Sequence, residues 1–227
     1  MTGPPERRTL RYGRMVADLV SLLEPAHTAV VTMEMQRGVV GDLASIPELS
    51  DAAAEQDLIT NVAAVCATAR RVGIRVVHAT VSWRADRAGT PLSTPLMASL
   101  ARNPAQILDG SQAAELVPEL DRHPADLRSH RHHGLTPFTG TDLDMLLRSL
   151  GVRTVVATGV SLNIGVLGLC LSATDLGYRV VMPSEAVCGT PAHFVAELLH
   201  HTIRPIATVT TVAAVLDAWE SQLLGDP

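Results

Sequence analysis

Residues 131–177 read RHHGLTPFTGTDLDMLLRSLGVRTVVATGVSLNIGVLGLCLSATDLG and decide the fold of the chain. Within this stretch, residues 154–160 (TVVATGV) are β-branched and almost wholly apolar, which is typical of a strand that is covered on both faces of a parallel sheet. A turn follows, and we expect an apolar helix to begin near Asn163. Ligands of open α/β sheets bind outside the carboxyl ends of the strands. The turn from Gly159 to Gly165 is therefore the first place where the sequence predicts chemistry.

The same alternation of strands and helices extends over the rest of the chain. Further strands are predicted at residues 29–33, 75–81, 178–182 and 206–209, and residues 127–133 carry a weak strand signal. Helices are predicted at residues 51–72, 95–103, 141–150, 191–201 and 211–223. This alternation indicates a parallel sheet with helices on both faces. The sequence thus predicts one α/β domain over residues 27–227, preceded by an Arg- and Pro-rich arm at residues 1–26 that we expect to pack on a neighbour.

The composition restricts the class of protein. The 227 residues are enough for one α/β domain, and 47% of them are hydrophobic, so a sizeable core can form. A net charge of −5 and the lack of a basic block argue against nucleic acid binding. No apolar run is long enough to span a bilayer and the N-terminus has no signal-peptide core, so we expect a soluble protein that does not bind membranes. Three widely spaced cysteines suggest reduced thiols in a cytoplasm.

Three segments carry a resemblance to a known family. They are residues 28–42 (TAVVTMEMQRGVVGD), 136–152 (TPFTGTDLDMLLRSLGV) and 159–166 (GVSLNIGV). In order and spacing they resemble the isochorismatase-like hydrolase superfamily, which includes cysteine amidohydrolases and isochorismatases. The resemblance implies a third strand at the weak signal, and with it a Rossmann-like three-layer α/β/α fold with a six-stranded, mostly parallel sheet. It also implies a homodimer or a homotetramer.

The catalytic positions of the family are all changed in this chain. The amidohydrolases carry an Asp after the first strand, a Lys after the third strand and a nucleophilic Cys in the turn after the fourth. The resemblance places Glu34 at the Asp position, His132 at the Lys position (counting back from Phe138) and Gly165 at the Cys position. The chain contains no lysine, so the Lys has not moved elsewhere. Because acyl-enzyme chemistry needs a nucleophile, a cysteine-dependent amidase is not expected.

Isochorismatases offer a precedent for the missing thiol, since they also carry Gly in this turn. In that branch an acid protonates the enolpyruvyl methylene of a vinyl ether, water adds to the oxocarbenium carbon, and the hemiketal releases pyruvate. That branch retains the Asp and the Lys, which this chain replaces. The resemblance favours a hydrolase without a cysteine nucleophile that acts on a small, anionic substrate. The alternative is a catalytically inactive member that binds a small molecule or serves as a structural subunit.

Glu34 and a basic cluster at residues 131–133 are the candidates for chemistry at this edge of the sheet. A carboxylate one residue past a buried strand is partly desolvated, which suits Glu34 to general acid or base catalysis. The alternative is a structural carboxylate that caps a helix or pairs with an Arg. In the cluster, His132 and His133 are candidate proton shuttles or charge partners of Glu34, and Arg131 suits an anionic substrate. The alternative for the cluster is a solvated loop with surface histidines.

Further residues are expected to contact the substrate. The resemblance places Phe138 in the pocket and predicts a cis peptide bond between Val160 and Ser161, in a turn that aims backbone N–H groups at the substrate. For Arg84 the alternative is an ordinary surface arginine, and for Gly165 it is tight packing of a helix start against the sheet. In addition to Arg131, the predicted substrate contacts are Gln36, Trp83, Arg84, Phe138, Val160, Ser161, Asn163 and Gly165.

We expect neither a metal ion nor an organic cofactor. No GxGxxG motif follows a strand, adjacent residues on a strand point to opposite faces, and the zinc-binding Asp-x-His pattern of the family is absent after the second strand. His78, within the second strand, is predicted to be a hydrogen-bonded core residue. Cys188 lies in the loop after the fifth strand, on the same rim as the site, where a displaced nucleophile is an open alternative.

Overall fold

Six strands form a single sheet in the computed structural model, which describes residues 18–120 and 123–224. The strands are β1 (Thr28–Met33), β2 (Arg75–Val81), β3 (Leu127–Arg131), β4 (Thr154–Gly159), β5 (Arg179–Pro183) and β6 (Thr208–Thr210). Their order is β3-β2-β1-β4-β5-β6, and every neighbouring pair is parallel. The predicted six-stranded sheet is confirmed, including the third strand that the resemblance implied.

Helices connect the strands and cover both faces of the sheet. The α-helices of the described residues are α1 (Leu19–Leu22), α2 (Pro47–Glu55), α3 (Leu58–Arg71), α4 (Pro95–Arg102), α5 (Leu143–Ser149), α6 (Leu167–Asp175), α7 (Val195–Leu198) and α8 (Val212–Leu224). A π-helical turn at Leu162–Val166 leads into α6, and another at Leu199–Ile203 follows α7. Within the part of the chain that the structure describes, no helix is both long and apolar enough to cross a membrane.

The alternation of side chains along the strands builds two apolar layers. In β1, Val30 packs into the layer that α2, α3 and α8 cover, whereas Val31 packs into the layer that α5 and α6 cover. Successive side chains of a strand point to opposite faces, so a strand covered on both sides is apolar throughout. Every residue of β1 and of β4 is buried, which explains the continuous apolar runs that these two strands show in the sequence.

The strand order reverses between β1 and β4, and this reversal positions the site. From β1 the chain moves outward through β2 to β3 at one edge, and it then returns to the other side of β1 as β4. Gly159 lets the two strand ends meet closely, because a Cβ atom there would collide with the backbone oxygen of Met33. The crevice outside the carboxyl ends at such a reversal is where ligands bind in open α/β sheets. The turn singled out from the sequence, from Gly159 to Gly165, lies there.

The single helix predicted over residues 51–72 is wrong, because the structure has two helices in this region. The first, α2, begins earlier at Pro47 and ends at Glu55, and α3 begins at Leu58. Asp57 between them has a left-handed backbone with φ of 52°, which interrupts the helix. Apolar residues continue on both sides of the break, so their spacing alone does not reveal it.

The helix predicted over residues 191–201 is also more irregular than expected. Pro191 has φ of −71° and ψ of 145°, so it precedes the helix rather than forming its first residue. A single 3₁₀ turn at Ala192–Phe194 follows, then α7, and then the π-helical turn after α7. The expectation of Pro at the first helical position is therefore wrong, because its ψ is extended.

The end of the predicted N-terminal arm packs on this chain itself. Leu22 and Leu23 are buried, and the indole Nε1 of Trp219 in α8 donates a hydrogen bond to the backbone oxygen of Leu23 at 3.0 Å. Residues 18–26 are therefore anchored to the domain through Leu22 and Leu23. Residues 1–17 lie outside the described residues, and the packing of the arm on a neighbour stays a prediction for them.

A polar network is buried on one face of the sheet around His78, as predicted for this residue. His78 Nδ1 lies 2.7 Å from Thr32 Oγ1, and His78 Nε2 lies 3.1 Å from Asp126 Oδ2. Arg70 Nη2 donates to the same Asp126 oxygen at 2.6 Å. Burial raises the pKa of Asp126, but the hydrogen bonds with His78 and Arg70 outweigh burial, so this pKa lies below its ordinary value.

We expect Asp126→Asn to destabilise the protein at pH 7 by about 3 kcal/mol, because Arg70 and His78 lose a buried anionic partner. An Asp with a lowered folded-state pKa adds stability above its unfolded-state pKa of about 3.9, and this stability is lost as the pH falls through the lower, folded-state pKa. Urea titrations should therefore give unfolding free energies that differ at pH 7 and converge toward pH 3. The exposed Asp175→Asn is the control, and a pH-independent difference would contradict the role of the Asp126 charge.

Candidate functional site

A cavity of about 150 Å³ opens at the carboxyl ends of β1, β3 and β4. Most of its wall is apolar and comes from the loop after β1, from α2, and from α4 with the loop that follows it: Val39, Ile46, Leu49, Met97, Leu100 and Ile107. Glu34 and Arg131 are the charged residues of the lining. Its polar residues are Ser45, Ser161, Asn163 and Thr190. A few polar groups set in an apolar wall are typical of a small-molecule site.

Glu34 is the residue at which the chain leaves β1. Its backbone φ of 52° lies in the left-handed region that residues other than glycine rarely adopt. Its N–H donates to the backbone oxygen of Ala79 at 2.9 Å, and on the other side Val160 N–H donates to the oxygen of Met33 at 3.0 Å. These bonds fix the backbone of Glu34 between β2 and β4. Backbone strain of this kind costs about 1 kcal/mol or more and clusters at functional sites.

Arg131 forms an ion pair with Glu34 at the cavity. Arg131 is the last residue of β3, its Nη2 donates to Glu34 Oε1, and its side chain is 3% exposed against 19% for Glu34. Its remaining nitrogens, Nε and Nη1, are buried and have no hydrogen-bond partner among the described residues. Buried donors without an acceptor cost free energy. Arg131 therefore places at the cavity wall a buried cation with two nitrogens that have no partner among the described residues.

The cation beside Glu34 is Arg131 and not His132, the residue that the count from Phe138 indicated. Side chains alternate along a strand, so His132 points away from Glu34 when Arg131 points toward it. His132 Nε2 lies 3.0 Å from both carboxylate oxygens of Asp109 and does not line the cavity. The count back from Phe138 therefore gave the residue that directly follows the partner of Glu34. The basic cluster does meet Glu34, but through Arg131.

A second cluster of polar side chains lies beside β3, on the side that faces away from Glu34. The sequence analysis missed this cluster. His130 Nε2 is 3.0 Å from Ser82 Oγ, and Ser82 Oγ also donates to Asp109 Oδ1. The hydrogen bond from Ser82 is the main cause that lowers the pKa of Asp109, with a smaller contribution from His132. Burial lowers the pKa of His130, and the charge of His132 adds to this effect. The available signal was the i, i+2 spacing of His130 and His132, which puts both on one face of a strand.

The turn after β4 contains the predicted cis peptide bond between Val160 and Ser161. Ser161, Asn163 and Gly165 line the cavity as predicted, whereas the side chain of Val160 is fully buried in the core. Val160 can therefore contribute only its backbone. Asn163 Oδ1 is buried and has no hydrogen-bond partner in the described part of the chain. Buried acceptors are rarely left without a hydrogen-bond donor. A donor group on a bound ligand would supply the missing hydrogen bond.

The sequence left two roles open for Gly165, a contact with the substrate and tight packing against the sheet. In the structure Gly165 both lines the cavity and is tightly packed. A Cβ atom at this position would lie 2.8 Å from Met33 Cε and 3.1 Å from the backbone oxygen of Val160. The end of a methionine is flexible and can move aside, but the backbone oxygen is fixed by the turn. Met33 therefore occupies the space that a side chain at the family's nucleophile position would need.

Of the two residues predicted on the loop after β2, Trp83 lines the cavity and Arg84 does not. Trp83 is 7% exposed, and the guanidinium carbon of Arg87 lies 4.3 Å from the centroid of its ring. Arg84 pairs with Asp86 at 2.7 Å on the surface. Arg84 is thus the surface arginine that the sequence allowed as the alternative, because its charge is already neutralised outside the cavity.

Three further predicted site residues lie outside the cavity. Gln36 is fully buried, and its side-chain amide bonds both the N–H and the C=O of Val81, at 2.8 Å each. Phe138 stacks on Tyr178, with ring centroids 6.1 Å apart, in the apolar layer under α5 and α6. His133 lies beside a separate, shallow surface groove. Gln36 and Phe138 stabilise the fold, because hydrogen bonds or core packing already occupy their side chains.

The cysteines are buried and poorly suited to nucleophilic chemistry. Burial raises the pKa of the Cys66, Cys170 and Cys188 thiols to about 12. The thiolate is the nucleophilic form, so these thiols are inert at neutral pH. Cys188 is 1% exposed and does not line the cavity. The displaced nucleophile that the sequence left open at Cys188 is therefore not supported.

Known proteins match this chain over most of its length. A family model described as Isochorismatase domain matches residues 28–214. The uncharacterized isochorismatase family protein YecD of Escherichia coli O157:H7 is 29% identical over 200 residues, which cover 84% of this chain and 95% of YecD. A ureidoacrylate amidohydrolase of Enterobacter sp. (strain 638) is 30% identical over 213 residues, which cover 86% and 90%. The solved structure of an isochorismatase family protein from Burkholderia thailandensis aligns with a TM-score of 0.70 at 27% identity, covering 86% and 96%.

Because Arg131 is more deeply buried than Glu34, the two halves of the ion pair should respond differently to replacement. We expect Glu34→Met to cost about 3 kcal/mol of unfolding free energy, since it leaves a buried cation alone. Arg131→Met should cost less, because water reaches part of the Glu34 carboxylate. The double variant should return close to wild type, as apolar replacements of buried pairs often do. Urea titrations give the unfolding free energy of each variant. If the two single variants lose equal amounts and the double variant loses their sum, the two charges are not coupled.

Proposed function

Because the chain belongs to the isochorismatase family, we propose that it is a hydrolase without a cysteine nucleophile, which uses Glu34 as acid and base on a small anionic substrate. The observation that carries this proposal is the ion pair of Glu34 and Arg131 at an open cavity. A carboxylate that only stabilised the fold would sit in a filled pocket. Here the same pair lines a space large enough for a benzene-sized group.

Arg131 supports an anionic substrate. Its Nε and Nη1 atoms are buried donors without partners in the described residues, and each can donate one hydrogen bond to a carboxylate oxygen. The apolar walls favour a compact hydrocarbon body for the rest of the molecule. The unpaired Asn163 Oδ1 would accept a hydrogen bond from an N–H or O–H group of the substrate.

Substrate binding would itself prepare Glu34 for proton transfer. A substrate carboxylate on Arg131 shares the cation with Glu34 and adds a negative charge beside it, which favours the protonated form of Glu34. Protonated Glu34 donates this proton to the alkene carbon remote from the heteroatom, and the cationic carbon that bears the heteroatom accepts water. The Glu34 carboxylate then takes a proton from the added water, and the adduct breaks its bond to the heteroatom, which leaves with the proton of the remaining hydroxyl group. The cycle consumes one water and needs no covalent enzyme intermediate.

The surroundings of Gly165 and of the thiols support direct attack by water. Met33 Cε and the backbone oxygen of Val160 crowd the position at which the amidohydrolases carry their nucleophile. Cys188, the cysteine in the loop after β5, is fully covered by its neighbours. With no thiolate at the cavity, an acyl-enzyme route lacks its first step.

Ureidoacrylate and isochorismate are suitable first substrates. The first is named by the amidohydrolase relative and the second by the family. Both carry a carboxylate, and both contain a carbon–carbon double bond attached to a heteroatom, which protonation activates toward water. Neither a metal nor a redox cofactor is needed for this chemistry.

A second candidate function is binding without catalysis. The observation that favours it is that Arg131 already neutralises Glu34, and that the chain has neither lysine nor an accessible thiol at the site. Such a protein would still bind small carboxylates through Arg131. The two functions therefore differ in turnover and not in ligand affinity.

We expect wild type to hydrolyse one of these two substrates, and Glu34→Gln to lower kcat by at least about 100-fold, because the amide cannot transfer the proton. Pyruvate release reports on isochorismate, and urea release reports on ureidoacrylate, because water adds to the carbon that bears the ureido nitrogen. Glu48→Gln, at an exposed position of α2, is the matched control and should keep full activity. Full activity in Glu34→Gln would sink the proposed role of this carboxylate. A wild type that binds both carboxylates and turns over neither would favour the binding protein.

A further inference from the structure

Three potential metal ligands converge beside β3, away from the cavity. Asp109, His130 and His132, called the β3 cluster below, each offer one ligand atom, and these atoms lie within 4.8 Å of one another. None of the three lines the cavity that contains Glu34. His130 and His132 flank Arg131 in the sequence, so the alternation of the strand sends them to one side and Arg131 to the other.

The spacing within the β3 cluster is close to that of an occupied site. Asp109 Oδ1 lies 3.0 Å from His132 Nε2 and 3.9 Å from His130 Nε2. The two imidazole rings meet edge to face with centroids 4.8 Å apart. Ligands at about 2.0–2.2 Å from a tetrahedral zinc ion lie roughly 3.5 Å from one another. Side-chain rotations that move the ligand atoms by about 1 Å would suffice to close the cluster around an ion.

A supporting hydrogen bond orients one of the ligands. His130 Nδ1 lies 2.9 Å from Thr80 Oγ1, which directs its Nε2 toward Asp109. Histidines that bind metals usually make such a bond through their other ring nitrogen. Ser82 Oγ, 3.0 Å from His130 Nε2, is in reach as a further oxygen ligand.

We propose that Asp109, His130 and His132 bind a divalent transition-metal ion, with zinc as the best match to two imidazoles and one carboxylate. Magnesium and calcium prefer sets made of oxygen ligands alone, so two imidazoles argue against both. Asp109, His130 and His132 are each between 32% and 42% exposed at the side chain, so solvent can supply the remaining ligand. The site would take the ion from solution and needs no opening of the fold.

The ion would link two segments that form the cavity wall. The segment before Asp109 is tied to β2, since Trp83 N–H donates to the oxygen of Ile107 at 2.8 Å and Asp109 N–H donates to the oxygen of Trp83 at 2.9 Å. Both Trp83 and Ile107 line the cavity, as does Arg131 at the end of β3. A metal ion bound by Asp109 and by the histidines beside β3 would fix the distance between the wall formed by Trp83 and Ile107 and the side chain of Arg131. We therefore assign the ion a structural role that does not depend on the reaction proposed for Glu34.

Zinc titration of the metal-free full chain by isothermal titration calorimetry tests the site. We expect wild type to bind one equivalent, and His132→Ala and Asp109→Asn to weaken binding by at least about 10-fold each. His133→Ala, the adjacent residue that faces elsewhere, should bind as wild type does. His201→Ala controls for the other histidine pair, in which the rings of His200 and His201 meet edge to face with centroids 4.5 Å apart, and it should bind zinc as wild type does. Magnesium should produce no heat of binding.

The same samples provide a second readout in thermal unfolding. Zinc should raise the Tm of wild type and of His133→Ala and leave the Tm of Asp109→Asn unchanged, because an ion that binds only the folded state stabilises it. Metal-free Tm values show whether each variant is folded, and the partly exposed position of His132 and Asp109 makes folding the expected result. The proposal is overturned if wild type binds no zinc. It is equally overturned if His132→Ala and Asp109→Asn bind zinc as tightly as wild type does.

Discussion

The buried ion pair between Glu34 and Arg131 is the interaction on which the site depends. The two residues leave β1 and β3, and β2 lies between these strands in the sheet. The register sets Met33 beside Ala79 and Val81 beside Arg131, so both charged side chains emerge at the same edge and meet across the end of β2. Desolvating two charges costs several kcal/mol, and a fold that needed only stability would place apolar side chains there. The pair therefore supports the proposal that a ligand binds at this sheet edge.

The backbone around the pair has little freedom. Glu34 occupies a left-handed conformation, and Gly159 is held so close to Met33 that no side chain fits. Met33 in turn crowds Gly165, so the strand end, the turn and the helix start form one packed unit. Close-packed interiors transmit such constraints because few voids absorb a shift. A side chain at Gly165 would require Met33 to move.

The sequence predicted the fold better than it predicted the site. Apolar runs such as β1 and β4 are visible because both faces of these strands are buried, whereas the break at Asp57 depends on one backbone angle that periodicity does not encode. Glu34 and Asn163 were found because they directly follow strand and turn signals. The partner of Glu34 was assigned to His132, one residue after Arg131, because a register count does not reveal which face of a strand a residue occupies. The placement of α4 over the cavity and the position of Asp109 beside β3 are set by tertiary contacts, so no local pattern predicts them.

The most direct test of the coupling between Glu34 and Arg131 is proton uptake on ligand binding. Benzoate fits a cavity of this size, and its titration at pH 7 in buffers of different ionisation enthalpy gives the number of protons exchanged. If an anion on Arg131 transfers part of the charge balance to Glu34, wild type takes up a fraction of a proton per benzoate, and Glu34→Gln takes up none. Benzoate binding with the same heat in every buffer, or with equal proton uptake in Glu34→Gln, would contradict the proposed coupling of the two charges.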